Sequence, residues 1–171
     1  LYTEDGETFE LDVLIVATGF DTNSFLAPMA IQGLGGRLLE QEWKDGAEAY
    51  LGITVAGFPN LFLMYGPNTN LGHNSILFMI ECQTNYILRC LHRMEKRGLH
   101  YLDVTPEAMR AFNWELQTEL QHTAWAETPH SWYKTEAGRI TNNWYGTTTR
   151  YWWRTRRPDF GAFRQVRPPA Q

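Results

Sequence analysis

Between Gly57 and Glu81 the chain reads GFPNLFLMYGPNTNLGHNSILFMIE. This succession of a short apolar run, a glycine-proline-asparagine turn and a long apolar-faced segment limits the available folds more than any other stretch. In α/β proteins ligands bind beyond the carboxyl ends of strands, where a turn brings the amides of the next helix start toward them. The stretch is therefore expected to be a site. Ile76, Met79, Ile80, Gln83, Ile87, Cys90, Leu91 and Met94 recur at three- and four-residue spacing and predict a helix from about Ser75 to Lys96. Asn74 is the expected N-cap, and Gly98 the expected stop, after Arg93, Lys96 and Arg97 complement the negative helix end.

Upstream, Asp5-Gly6 separates two strand-like runs and predicts a hairpin. Leu11 to Ala17, apolar apart from Asp12, reads as a strand covered on both faces by helices. Leu61 to Tyr65 is the other strong strand candidate, so most of the sheet these two would join is expected to lie outside this chain, which reads as a piece of something larger. The segment from Asp21 to Phe58 is glycine-rich with weak periodicity. Its Gly33-Leu34-Gly35-Gly36 has Leu38 where a third glycine would complete G-x-G-x-x-G, and no clear strand precedes it. It reads as a loop using glycine for positive φ, not as a dinucleotide cradle. Thr105, Pro106 and Glu107 open a second helix, and a hairpin turns near Glu136 to Gly138.

Composition narrows the functions. A chain of 171 residues, 43% hydrophobic and 20% charged, suits a globular protein with a core. Fifteen basic against nineteen acidic residues, net −4, offer no general attraction to nucleic acid. The late arginines 150, 154, 156, 157, 164 and 167, interleaved with Tyr151, Trp152, Trp153, Phe160 and Phe163, read as stems packed on rings in a segment wrapping the domain. No apolar run reaches the roughly 20 residues of a membrane span, and a soluble cytoplasmic protein is expected. Cys82 and Cys90, about 12 Å apart along one helix, are expected to be packed free thiols. The histidines 73, 92, 100, 122 and 130 show no metal-ligand spacing, so no metal is expected.

On its motifs the chain resembles the carboxyl-terminal part of class B FAD- and NADPH-dependent monooxygenases, the Baeyer-Villiger type especially. These motifs are Asp12 before the apolar run, ATGF at Ala17 to Phe20, Trp43, YLG at Tyr50 to Gly52, GFPNLF from Gly57, GPNTNLGHNS at Gly66 to Ser75, and MIE at Met79 to Glu81. They run in order over about the first 95 residues. SWY at Ser131 to Tyr133 and NWYGTTTRYWW from Asn143 are similar to the family's carboxyl-terminal segment, less specifically. The resemblance implies an α/β fold, as an incomplete piece of a Rossmann-like flavoprotein with two dinucleotide domains and a helical and hairpin carboxyl-terminal segment. It implies residues 1–20 as the end of the NADPH domain and its return strand, and 21–58 as connecting and substrate loops. Residues 59–98 would be the last strand and helix of the FAD domain, and 99–171 a helix, hairpin and aromatic, arginine-rich tail. The family's G-x-G-x-x-G motifs, its F-x-G-x-x-x-H fingerprint and its active-site arginine do not occur in these residues, so the chain alone is expected to be inactive and to hold neither nucleotide. In an intact enzyme the remaining FAD and NADPH domains would be its partners, and a small ketone its substrate, oxidised through a flavin C4a-peroxide.

By the same resemblance, Thr18, Gly19, Gly66, Pro67, Asn68, Asn74 and Ser75 would contact cofactor, and Leu71, His73, Ile76, Trp43 and Tyr50 would line the substrate site. Each has a plainer role available. Asn68 and Asn74 suit turns and caps, Leu71 and Ile76 suit a core, His73 suits an exposed surface, and Trp43 and Tyr50 suit anchors of a glycine-rich loop. No acid, base or nucleophile for catalysis is identifiable. The alternatives are oxidation of amines, sulfides or hydrocarbons on the same architecture, and a binding module without catalysis. A strand and an apolar helix face without their neighbours also predict self-association, by exchange of the first hairpin or a helix.

Overall fold

The helix drawn from apolar spacing is the spine of the structure, a computed structural model that describes residues 1–17, 25–127, 133–135 and 137–169. A 3-10 turn (Leu34–Gly36) and the single-turn helix α1 (Leu39–Glu42) precede α2 (Ile76–Arg97). After it come β1 (Tyr101–Val104), α3 (Pro106–Leu120), the single-turn α4 (Ala124–Glu127), α5 (Thr148–Thr155), a second 3-10 turn (Phe160–Ala162) and β2 (Phe163–Val166). β1 and β2 pair antiparallel, Tyr101 opposite Val166 and Val104 opposite Phe163.

α2 buries Met79, Cys82, Gln83, Tyr86 and Cys90 along one face and ends at Gly98, whose φ of 59° lets its amide close the last turn on Met94 and Glu95 carbonyls. Its N-cap is Ser75, not Asn74: Ser75 Oγ accepts from the Phe78 amide. Both residues are cap types, and Asn74 is held one position outside the helix, accepting from the Ser75 amide and donating to Thr148 Oγ1. α3 starts as expected, with Thr105 accepting from Ala108 and Pro106 in the first turn. The main core lies between α2, α3, α5 and the loops around Ile53 and Ile140, and includes Tyr86, Leu116, Leu120, Trp144 and Tyr151. A smaller cluster, Leu39, Ala49, Val55, Phe58 and Leu63, lies beside α1.

Leu11 to Ala17 forms no strand and is exposed along its length. A strand needs partners for its backbone groups and cover for its faces, and no described segment lies alongside this one. Leu61 to Tyr65 likewise contributes a single antiparallel bridge, Phe62 to Thr54, in place of the expected strand. The Asp5-Gly6 turn does form, with Tyr2 bridged to Thr8 and Gly6 at φ 86°. Gly35 and Gly36 take positive φ as read. Lys134 bridges Ile140 around the expected second hairpin, whose Glu136 lies outside the described residues.

The arginine and aromatic segment packs as anticipated. Arg93 lies 4.8 Å over Phe160, Arg150 4.5 Å over Tyr145, and Arg154 5.2 Å over Phe112. Cys82 and Cys90 are free and buried. Among the described residues no helix is long and apolar enough to cross a membrane, and no group of three His, Cys, Asp or Glu side chains could hold a metal.

Candidate functional site

The turn ahead of α2 divides into a buried half and an exposed half. Gly66, Pro67, Asn68 and Thr69 are buried, whereas Gly72, His73, Asn74 and Ser75 are exposed. The buried half is locked to residues 140–143. Asn68, at φ 58°, donates its side-chain amide to the Ile140 and Asn143 carbonyls at 2.8 and 3.1 Å. The Asn68 and Asn70 backbone amides donate to the Thr141 and Asn142 carbonyls. Both Asn68 side-chain hydrogens are thus committed to the fold. Gly66 is committed too: a Cβ there would strike the Gly52 carbonyl, and a Cβ on Gly52 would strike Thr69. These two glycines let the YLG turn and the GPN turn stack directly.

The exposed half presents the start of α2. The Ser75 amide is taken by Asn74 and the Phe78 amide by Ser75. The Ile76 and Leu77 amides, which no intrahelical carbonyl can reach, have no partner among the described residues. Asn74 donates to Thr148 Oγ1 at 3.2 Å, joining the start of α2 to that of α5, which Thr147 caps by accepting from Arg150. No acidic residue occupies the first turn of either helix. Two positive helix ends therefore meet near one spot with no carboxylate of their own first turns to offset them, and Glu115 and Glu119 reach Arg150 in the first turn of α5. Beside it, a Cβ on Gly72 would meet only Trp125, at 3.7 Å.

A buried polar chain fixes α2 behind this spot. The Tyr65 amide donates to Gln83 Oε1 at 2.8 Å, Gln83 Nε2 donates to Tyr151 Oη at 3.1 Å, and Tyr151 Oη donates to the Leu51 carbonyl at 2.7 Å. Burial pushes the Tyr151 phenol well above its ordinary range, so it remains a donor.

The remaining sequence candidates do not share one cavity. Trp43, its indole donating to the Glu48 carbonyl, lines a cleft of about 710 Å³ with Met29, Leu39 and Lys44. Tyr50 packs in the main core against Phe112 and Phe163. Leu71 is buried there, and Ile76 packs against its edge. His73 is exposed at the α2 start. Thr18 and Gly19 lie outside the described residues. Sequence reasoning did not find Gln83, Asn143, Thr148 or Tyr151. Gln83 alone left a signal, as a polar residue in an apolar stripe.

No family model matches the chain. It is 44% identical to an FAD-binding monooxygenase of Aspergillus niger, over 87% of this chain and 25% of that protein. It is 40% identical to a Baeyer-Villiger monooxygenase of Pseudomonas aeruginosa, over 96% of this chain and 32% of that protein. The closed crystal structure of cyclohexanone monooxygenase matches with a TM-score of 0.78 at 28% identity, over 98% of this chain and 32% of that one. OTEMO, solved in complex with FAD and NADP, matches with a TM-score of 0.72 at 27% identity, over 90% of this chain and 30% of that one. A helical structure with a small sheet, matching one part of larger flavoproteins over nearly its whole length, defines the class. Over most of its length the chain is similar to one part of Baeyer-Villiger and FAD-binding monooxygenases, and it spans about a quarter to a third of the length of these relatives.

Proposed function

We propose that this chain forms the carboxyl-terminal portion of an FAD- and NADPH-dependent monooxygenase that inserts one atom of O2 beside a ketone carbonyl. The products are an ester or lactone, water and NADP+. Bound flavin supplies the oxygen-activating chemistry and NADPH the electrons. The carrying observation is the exposed start of α2, with two free amides, a neighbouring second helix start and no acid in either first turn.

That arrangement fits the electron-rich pyrimidine edge of a flavin. The Ile76 and Leu77 amides donate to its acceptor atoms, and the paired helix ends favour negative charge there. Gly72 leaves room for close approach, and the exposed His73 imidazole can donate a hydrogen bond to flavin or to the ketone oxygen. Gly66, Pro67 and Asn68 act from behind, by holding the turn against residues 140–143. Ile76, at the α2 start, is the wall residue for the ketone, with Leu71 in the core behind it; Trp43 and Tyr50 lie elsewhere, in a separate cleft and in the main core. These residues contain no G-x-G-x-x-G, so both dinucleotides depend on the FAD and NADPH domains with which this segment assembles.

The test uses a protein in which this chain is continuous with such domains, supplied with NADPH, 18O2, and a cyclic ketone and a sulfide together. One 18O atom in the lactone is expected. Label confined to the sulfoxide, or NADPH consumed only to hydrogen peroxide, would overturn the ketone assignment.

A further inference from the structure

Three residues around the stacked YLG and GPN turns are left-handed without being glycine: Leu51 at φ 57°, Tyr65 at φ 56° and Asn68 at φ 58°. Asparagine tolerates that geometry through its short polar side chain, whereas leucine and tyrosine are strained by a Cβ set close to the following carbonyl. A bulky residue stays there only where its surroundings over-determine it. Leu51 and Tyr65 are the two ends of the buried polar chain: the Tyr65 amide donates to Gln83 Oε1, and Tyr151 Oη donates to the Leu51 carbonyl. One run of hydrogen bonds therefore clamps both strained residues.

The clamp has a fixed direction. A backbone N–H must be met by an acceptor, so Gln83 turns Oε1 to Tyr65 and Nε2 to the Tyr151 phenol, whose own proton is left for Leu51. Gln83 and Tyr151 are fully buried, where polar side chains are costly unless their partners are in place. Methionine at position 83 would continue the apolar stripe of α2, so packing alone does not call for glutamine there. Gln83 lies two turns beyond Ile76 on the same helix, roughly 10 Å along its axis, and what seats Gln83 therefore sets where the first amides of α2 point. The Tyr65 phenol adds a second tie, donating to Asn70 Oδ1 at 2.8 Å, while Asn70 donates to Asn143 Oδ1 at 2.9 Å.

We propose that Gln83 and Tyr151 are positioning residues for the start of α2: by holding Tyr65 and Leu51 left-handed, they fix the turn that follows Tyr65 and the aim of the Ile76 and Leu77 amides. Both are buried in the core, so they act through the turn and the helix that they join. This inference rests on the reading of the α2 start as the flavin-facing site and supplies that site's rear support. Every group of the clamp belongs to this chain, and the FAD and NADPH domains need contribute none of it.

The test uses a protein in which this chain is continuous with the proposed FAD and NADPH domains, and compares Gln83→Met and Tyr151→Phe, each alone and combined with Tyr65→Asn. Two quantities are read: the reduction potential of the bound flavin, without ketone, and kcat and KM for lactone formation. Each single variant should lower the potential, because misaimed amides stabilise the extra negative charge of reduced flavin less. It should lower kcat by up to about a hundredfold with KM unchanged, the pattern of an interaction made only in the transition state. Asparagine at position 65 tolerates the left-handed geometry and should restore most of the potential lost in Gln83→Met. Singles that lower the unfolding midpoint but leave potential and kcat at the unaltered values would show a merely structural tie and overturn the proposal, as would a Tyr65→Asn combination that recovers nothing. Because the potential needs no ketone, a flavoprotein that oxidises only sulfides would sink the ketone reading and still show the shift, whereas an unaltered protein that binds no flavin would sink both.

Discussion

Tyr151 closes the polar chain that seats α2 against the rest of the protein, and Tyr151→Phe removes one atom from it. The ring stays packed beside Trp144, 5.2 Å away between centroids, so no cavity opens. Two buried groups lose their partner: the Gln83 amide, 3.1 Å from the phenol oxygen, and the Leu51 carbonyl, 2.7 Å from it. A buried polar group left unsatisfied costs about 1–3 kcal/mol, so the loss of two such partners should cost about 2–6 kcal/mol. With a urea slope of roughly 1–3 kcal/mol/M, the unfolding midpoint followed by tryptophan fluorescence should fall by about 2 M at the middle of both ranges, and by at least about 0.7 M. In a cycle with Gln83→Leu, the double variant should lose less than the sum of the singles, by at least about 0.5 kcal/mol. A Tyr151→Phe unfolding free energy within about 0.5 kcal/mol of that of the unaltered chain would refute the idea that this chain of hydrogen bonds holds α2.

Two further outcomes follow from packing. Gly52 and Gly35 both have positive φ, 70° and 67°, but a Cβ on Gly52 would run into Thr69 whereas one on Gly35 meets open space. Gly35→Ala should therefore cost about 1 kcal/mol of backbone strain, and Gly52→Ala at least twice that in the same urea experiment; equal costs would contradict the stacked-turn geometry. Burial pushes the Cys90 thiol up to about 12 and raises that of Cys82. Neither thiol should react with a disulfide reagent at neutral pH until urea unfolds the chain, and rapid labelling of Cys90 in the native protein would show that α2 is not packed as described.

α2 and α3 were legible because their signals are local. Ser75, Thr105, Pro106 and Gly98 stand at the ends they define, and the apolar spacing lies within the helices. Even so, one cap was misplaced by a residue, because Asn74 and Ser75 suit the position alike and the choice is settled by Thr148, distant in sequence. β1 and β2 were not legible: YLDV and FRQV are four residues each, and only the return of the chain after α5 makes them partners. α5 was hidden by its composition. TTRYWWRT has low helix propensity, and the burial of Tyr151 and Thr155 overrides it. At the site, the GPN stretch was recognisable as a turn ahead of a helix, but the division of labour within it was not. Asn68 is a structural tie because of residues 140–143, some seventy positions away. Leu11 to Ala17 has the sequence of a buried strand and finds nothing here to pair with.

The most direct test of the central claim places a charge where the flavin edge is proposed to lie. Leu77 sits in the first turn of α2 with 70% of its surface exposed, so its side chain can be changed with little loss of packing. In a protein where this chain is continuous with the proposed FAD and NADPH domains, flavin affinity is compared for Leu77→Glu and Leu77→Gln. The carboxylate should stabilise the helix start, by about 0.3–1 kcal/mol, while repelling the flavin edge and weakening its binding on the order of tenfold relative to the glutamine variant. Equal flavin affinity in the two variants would contradict the assignment of the α2 start as the flavin-facing site.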